Sequence, residues 1–399
     1  MLFFEGIRRT ARRFKSRGGA VCIAIVASVT VSPTGAFEKS DGLPQGGAIL
    51  IDREVLVPGL RGRPNAMARL VTGGFVIVGA WGTAWAAGTD ANGRLLWIYE
   101  EPRDPLVQSQ DQSEFSGAVP LASGGVLLCG QTSNKDHQAG IGLIVIMNGA
   151  GKIVERRSVY PNDNESIRSS SFKRCVRWGE GLALMGRGND GGKGFFWLVR
   201  LDESGKKVWE KIGPEIPGFN GVAAADHSFA LMGSLVGTGV TIVRLSDKGE
   251  VMARTSTSFP DGRPVRSIDA SIVDELVAVD TDNENILVTL RLDLKEAERA
   301  KRIGPPSIRD GCAYRLPDGS IVLFGSKAGS VYRSAIGWVN RPWKEDVVRE
   351  MSVPAKPDGS VSVRDAVSLS ANRFVAMRDQ VSSTNPANTG VVLSWVSFR

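Results

Sequence analysis

Apolar residues in this chain gather in short runs closed off by Gly, Asp or Asn, and the runs return in a fixed order. The clearest copy reads Gly181-Leu-Ala-Leu-Met-Gly186, then Phe196-Trp-Leu-Val-Arg-Leu-Asp202, a turn at Gly205, and Val208-Trp209-Glu210-Lys211. Short Val/Ile/Leu/Phe runs bounded by turn formers predict strands buried on both faces. The third strand of each phrase ends in a residue that can cap its own backbone, with Gly three positions on: Asp90 to Gly93, Asn148 to Gly151, Asp202 to Gly205, Ser246 to Gly249. That pattern predicts a tight hairpin whose glycine takes positive φ. The fifth copy departs from it, since Asp293 is followed by Leu294, Lys295 and Glu296.

The second strand of each copy ends at Gly79, Gly130, Gly186, Gly233, Asp280, Gly325 and Arg378. Six steps cover 299 residues, about 50 per step, the size of a four-stranded blade and not of a helical repeat. An innermost strand is expected ahead of each Gly turn, at residues 66–71, 116–121, 173–178, 221–225, 268–273, 311–316 and 364–369. Many residues in these stretches are small, which suits strands crowded round an axis. The last copy supplies three strands and ends with Val391-Val-Leu-Ser-Trp395-Val-Ser-Phe398, while an apolar run with no copy of its own, residues 48–57, stands near the other end. Pairing the two would remove exposed sheet edges. The expected fold is therefore all-β: a single β-propeller of about seven four-stranded blades, eight being the other count considered, closed by an N-terminal strand added to the last blade.

Residues 1–36 read as a secretory signal peptide: a basic start, an apolar stretch of about 12 residues from Ala20 to Val31, and Thr34-Gly35-Ala36 before Phe37. That stretch falls short of the roughly 20 residues needed to span a bilayer. The expectation is a cleaved leader, a mature propeller domain over residues 37–399, periplasmic or secreted, with no stable membrane insertion. The formal charge of +7 shrinks to 43 basic against 41 acidic residues once the leader is set aside. A near-neutral mature chain argues against nucleic acid as partner.

Candidate chemistry is sparse. His137 and His227 are the only histidines; the first reads as a polar-loop residue, and Asp226-His227-Ser228 aligns with a turn, so its neighbours cannot act as a triad. No Cys/His cluster suggests a metal. Asp280-Thr-Asp282-Asn-Glu284-Asn285 begins like a calcium loop but lacks the glycine and the closing glutamate. Cys129, Cys175 and Cys312 remain after the leader; Cys129 and Cys175 fall on neighbouring copies and an oxidising compartment permits a bridge, but the odd number favours buried small hydrophobes. Most of the nine tryptophans recur at fixed blade positions (Trp85, Trp197, Trp338 and Trp395 in third strands, Trp97 and Trp209 in fourth strands) and read as core. Trp81 lies outside that pattern and is the surface candidate. Glu114, Asp269, Asp310 and Asp365 sit in or beside predicted innermost strands, where paired carboxylates would be needed for glycoside chemistry.

The phrase Gly-Gly-x-x-x-x-Gly, Trp-Leu-Val-Arg-Leu-Asp202-x-x-Gly205, Val-Trp209-Glu-Lys resembles the repeat of bacterial secreted propellers in the PQQ-like and WD40-like superfamily, including the "delta-60" repeat proteins. The resemblance implies seven or eight blades. Gly93 to Trp97 and Gly205 to Trp209 are similar to a quinoprotein dehydrogenase element, but the vicinal disulfide and calcium cage of those larger enzymes have no counterpart here, so no cofactor is expected.

The functional expectation is an exported, non-catalytic, monomeric scaffold in the bacterial envelope that binds another protein, one specific form being an inhibitor or immunity protein. The alternative is a carbohydrate-active or other carboxylate-dependent enzyme, with quinone-dependent oxidation a weaker third reading.

Overall fold

The computed structural model describes residues 49–398 except 108–111, 134–139, 166, 168, 191–192, 214–219, 224–226, 235–239, 258–266, 273–274, 281–285, 292, 295, 299–307, 316–319, 328–332, 341–346, 353–358 and 383–389. The leader, His137 and the Thr281–Asn285 part of the calcium-like loop lie outside the described residues.

Strand β1 (Ile49–Val57) precedes the first copy of the phrase. The first sheet runs β2 (Arg63–Arg69), β3 (Phe75–Trp81), β4 (Thr83–Thr89), β5 (Leu95–Glu100); the second β6 (Ser113–Pro120), β7 (Val126–Thr132), β8 (Ile141–Met147), β9 (Ile153–Val159). The third is β10 (Ser169–Trp178), β11 (Gly181–Asp190), β12 (Lys193–Asp202), β13 (Lys207–Gly213), and the fourth β14 (Asn220–Ala223), β15 (Phe229–Ser234), β16 (Val240–Leu245), β17 (Val251–Thr257). The fifth comprises β18 (Ser267–Ile272), β19 (Glu275–Asp280), β20 (Ile286–Arg291), β21 (Glu296–Glu298), and the sixth β22 (Ile308–Arg315), β23 (Ile321–Lys327), β24 (Arg333–Asn340), β25 (Val347–Ser352). The last sheet joins β26 (Gly359–Ser370), β27 (Arg373–Ser382) and β28 (Gly390–Phe398) to β1. All pairings are antiparallel, and β1 meets β28 with Ile51 opposite Val396 and Arg53 opposite Trp395.

Among the described residues, neighbouring sheets bury apolar residues against each other. Phe75, Ile77 and Trp85 pack with Val375, Met377 and Trp395; Val76 and Val78 with Leu128 and Val145; Leu127 and Ile144 with Leu184 and Trp197. The first strands are neighbours in sequence order, β2 beside β6 through to β22 beside β26, and β26 lies beside β2. The hairpins form as the residue types demand. Asp202 Oδ1 accepts the N–H groups of Ser204 and Lys206, both at 2.9 Å, and Gly205 has φ 86°.

Two expectations change. The innermost strands begin earlier than the apolar pattern indicates: β2 at Arg63, β6 at Ser113, β10 at Ser169 and β26 at Gly359. The reason is a β-bulge that recurs at one level of the inner strand, at Asn65, Ser116, Lys173 and Arg364, which breaks the two-residue alternation with half-buried polar residues that read as loop. Opposite it stand Gly79, Gly130 and Gly186, and a Cβ on any of these would strike the carbonyl of Arg63, Glu114 or Ser171. In the first three sheets the terminal glycine of the phrase thus leaves room for the bulge, whereas the bulged last sheet carries Arg378 at that place. Secondly, Cys129 and Cys175 are bonded as a disulfide between β7 and β10, with Cα atoms 6.3 Å apart. Gly117 makes room for it, since a Cβ there would lie 2.8 Å from one sulfur and 3.0 Å from the other.

Candidate functional site

The inner strands carry the predicted carboxylates. Glu114 on β6 and Asp365 on β26 flank β2 on its two sides. Asn65, at the β2 bulge, donates from Nδ2 to Glu114 Oε1 at 3.0 Å and to the Phe115 carbonyl at 2.8 Å. Asp365 Oδ2 accepts the backbone N–H of Met67 at 2.9 Å, and Oδ1 accepts that of Ala366. Asp365 touches water at one edge but is ringed by protein, and this loss of hydration raises its pKa above the ordinary 3.8 against the opposing pull of Arg174. Lys173, at the β10 bulge, is lowered by burial, with Glu114 acting in the other direction. Both described carboxylates therefore serve to join inner strands. Asp269 and Asp310 lie on β18 and β22, and their side chains fall outside the described part of the structure. Among the described residues no cluster of three or more His, Cys, Asp or Glu side chains is placed to hold a metal. His227 sits in a turn at φ 65°, where its carbonyl accepts the Trp178 indole N–H at 2.7 Å.

Trp81 is 65% exposed, as expected, and borders a groove of about 460 Å³. One wall is the Gly59–Arg61 connection between β1 and β2; the other is the first sheet, contributing Trp81, Trp85, Ile98 and Glu100, with Arg103 beyond it. Leu60 anchors the connection by burying itself against Trp85 and Trp395. On β5, Leu96, Ile98 and Glu100 alternate outward while Trp97 and Tyr99 pack against the second sheet. Arg61 and Arg103 escape sequence reasoning because they lie in linkers, and only folding sets them on one groove. Leu106, just beyond, is 64% exposed.

No family model matches the chain, and no curated protein matches it by sequence. Solved structures do. The WD40 domain of Neurospora crassa Pan2 is similar with a TM-score of 0.53 and 12% identity, over 84% of this chain and 89% of that one. A europium-containing methanol dehydrogenase matches with a TM-score of 0.51 and 10% identity, over 88% and 93%. The chain has a β-propeller fold, similar to those of these WD40 and methanol dehydrogenase structures. YCF48 bound to D1 peptide is a further propeller of similar build, with a TM-score of 0.51 and 11% identity, over 86% of this chain and 94% of that one. At these identities the likeness concerns the fold and not the function of the propeller. Among its described residues no helix is long and apolar enough to cross a membrane.

Proposed function

We propose that this chain is an exported seven-bladed propeller, closed by β1, that binds another protein and performs no chemistry of its own. The observation that carries the binding role is the outward flank of the first sheet. Leu96, Val154, Val208 and Met252 are exposed at one equivalent position, three residues after the turn glycine, in the first four sheets. The first sheet adds Trp81 and Ile98 to it and the linker that follows adds Leu106, while the second and fourth sheets add one residue each, Ile153 and Val251. Clustered apolar exposure beside a groove with arginines is the composition of a recognition surface.

Ring closure is supported by the β1–β28 pairing and by the unbroken neighbour relation of the first strands from β2 to β26 and back to β2. The Cys129–Cys175 disulfide supports an oxidising, periplasmic or secreted location. The non-catalytic part is supported by the engagement of Glu114 and Asp365 with β2. An inhibitor of an envelope enzyme is one form such a scaffold takes.

Affinity capture from envelope extract tests the reading with wild type and with a Trp81→Ala, Leu96→Ser, Leu106→Ser triple variant. Wild type should retain a discrete partner and the folded triple variant should lose it. Equal capture by both overturns the assignment to this flank, and turnover of a glycan library by purified protein overturns the absence of chemistry.

A further inference from the structure

The third sheet contains a polar arrangement of which the first sheet keeps the indole but lacks the carboxylate and the ammonium. In the third sheet the indole N–H of Trp197 donates to Glu210 Oε2 at 2.9 Å, and the Lys207 ammonium holds Oε1 of the same carboxylate at 3.0 Å. Trp85 is the equivalent residue of the first sheet. Trp197 stands between Gly186 and Ile212 in register, and Trp85 stands between Gly79 and Glu100. With Trp97 and Trp209 matched on the outer strands, the place of Glu210 falls to Ile98 and that of Lys207 to Leu95. Trp85 is only 4% exposed, and its N–H is buried without a hydrogen-bond partner. Native structures leave few such donors unmatched.

The groove beside Trp85 is walled by Ile98 and by Arg61 and Arg103. An indole donor and positive charge are thus present in both sheets, while the carboxylate they would share is internal in the third and missing from the first. We propose that the groove receives a carboxylate of a partner polypeptide, held by the two guanidinium groups, and that the Trp85 N–H, closed to water in the free protein, is reached as the Ile98 side chain shifts to admit it. This rests on the protein-binding reading above and names what the partner must present. A polypeptide fits better than a small acid because apolar exposure continues past the groove to Leu96 and Leu106, further than a small acid extends. Trp81 and Ile98 cover the stem that carries the carboxylate. Glu100, on the same wall, accepts an N–H from the backbone next to it.

Titration of the full chain, followed by calorimetry, tests this with acetyl-Ala-Ala-Glu-Ala-amide, its Gln counterpart, acetyl-Ala-Ala-Ala with a free C-terminus, its amide, and glucuronate. Peptides bearing a carboxylate should bind, and their amide counterparts should bind at least about tenfold more weakly. Comparison of the Glu peptide with the free C-terminus shows which carboxylate source is accepted. Ile98→Glu supplies the internal carboxylate of the third sheet and should abolish binding. Arg103→Gln, an exposed change without effect on folding, should weaken it about tenfold. Absence of saturable binding by either carboxylate peptide, or indifference to both substitutions, overturns the proposal; glucuronate binding as tightly as the peptides overturns the polypeptide occupant. Capture of a protein partner that persists in Ile98→Glu would sink this inference alone and leave the scaffold reading standing.

Discussion

The third sheet and the last sheet have the same four-strand plan but are assembled from the chain in opposite ways, and their fastenings differ accordingly. The third is one continuous stretch, its strands joined by tight turns, and its interior is apolar: Trp197 stacks on Phe172 with centroids 4.4 Å apart, among Leu127, Ile144 and Val199. The last must recruit β1 from more than 300 residues away; the Ser394–Glu54 hydrogen bond alone spans 340 positions. Closing a loop of that length in place of a five-residue turn costs roughly 4 kcal/mol more in chain entropy. Polar links tie β1 to the strands it joins. Arg378 occupies the place of Gly79, Gly130 and Gly186, and its nearly buried guanidinium reaches back to Glu54 and donates to Ser394 Oγ at 3.0 Å. Arg53 lies 3.8 Å above the Trp395 ring, Ser397 donates to Asp52, and Arg69 donates to the Leu369 carbonyl. Both sheets combine burial with polar contacts; those of the third join strands that are already neighbours in sequence, and those of the last join strands from the two ends of the chain.

Four substitutions or treatments sharpen that contrast. Trp197→Ala should cost the most, about 4 kcal/mol in urea denaturation, because it empties the third sheet's core and strands Glu210 beside Lys207. Reduction of the Cys129–Cys175 bond, which closes 46 residues, should lower stability by about 3 kcal/mol in a denaturation run with and without reductant. Glu54→Ala should cost about 2 kcal/mol by leaving the Arg378 charge with Ser394 alone. Native-state hydrogen exchange should show β1 opening first in that variant while β10–β13 stay protected. If the third sheet loosens equally, the two sheets are not fastened independently.

The smallest effect is a slope. Burial raises the pKa of Asp365 in the folded protein, so its contribution is fully present below about pH 3.9, the ordinary unfolded value, and is lost as pH rises through the folded one. Asp365→Asn keeps an acceptor for Met67 and has no charge to bury. Its stability should fall less than that of wild type as pH is raised from 4 toward neutrality, read from denaturation midpoints along the series.

Much of this was legible in the sequence. The four-strand phrase, the self-capped Asp-x-x-Gly turns and the stray residues around Ile51 follow from residue type and period, and the strands and the β1 pairing agree with them. The inner-strand starts were hidden because a bulged Asn65 or Lys173 looks like loop polarity, although the opposing glycines marked the site. The disulfide was left open because three cysteines are an odd number and the repeat places Cys129 and Cys175 on neighbouring copies without saying how closely β7 approaches β10. The exposure of Trp81 was signalled by its exception to the repeat. Trp85 was read as packing alone, since its orphaned N–H becomes visible only when Ile98 is compared with Glu210 in three dimensions. Arg61 and Arg103 gave no signal, being two linker residues brought together by a strand pairing.

The partnership of β1 with β28 also orders events in time. Residues 49–57 are made early, yet β28, the strand they pair with, ends at Phe398. A nascent chain can complete six sheets as it emerges, but its earliest strand waits for the ribosome to finish. A message cut short before the codon for Gly390 would yield an open molecule with an orphaned leading edge, so full-length synthesis is itself a condition for the finished shape.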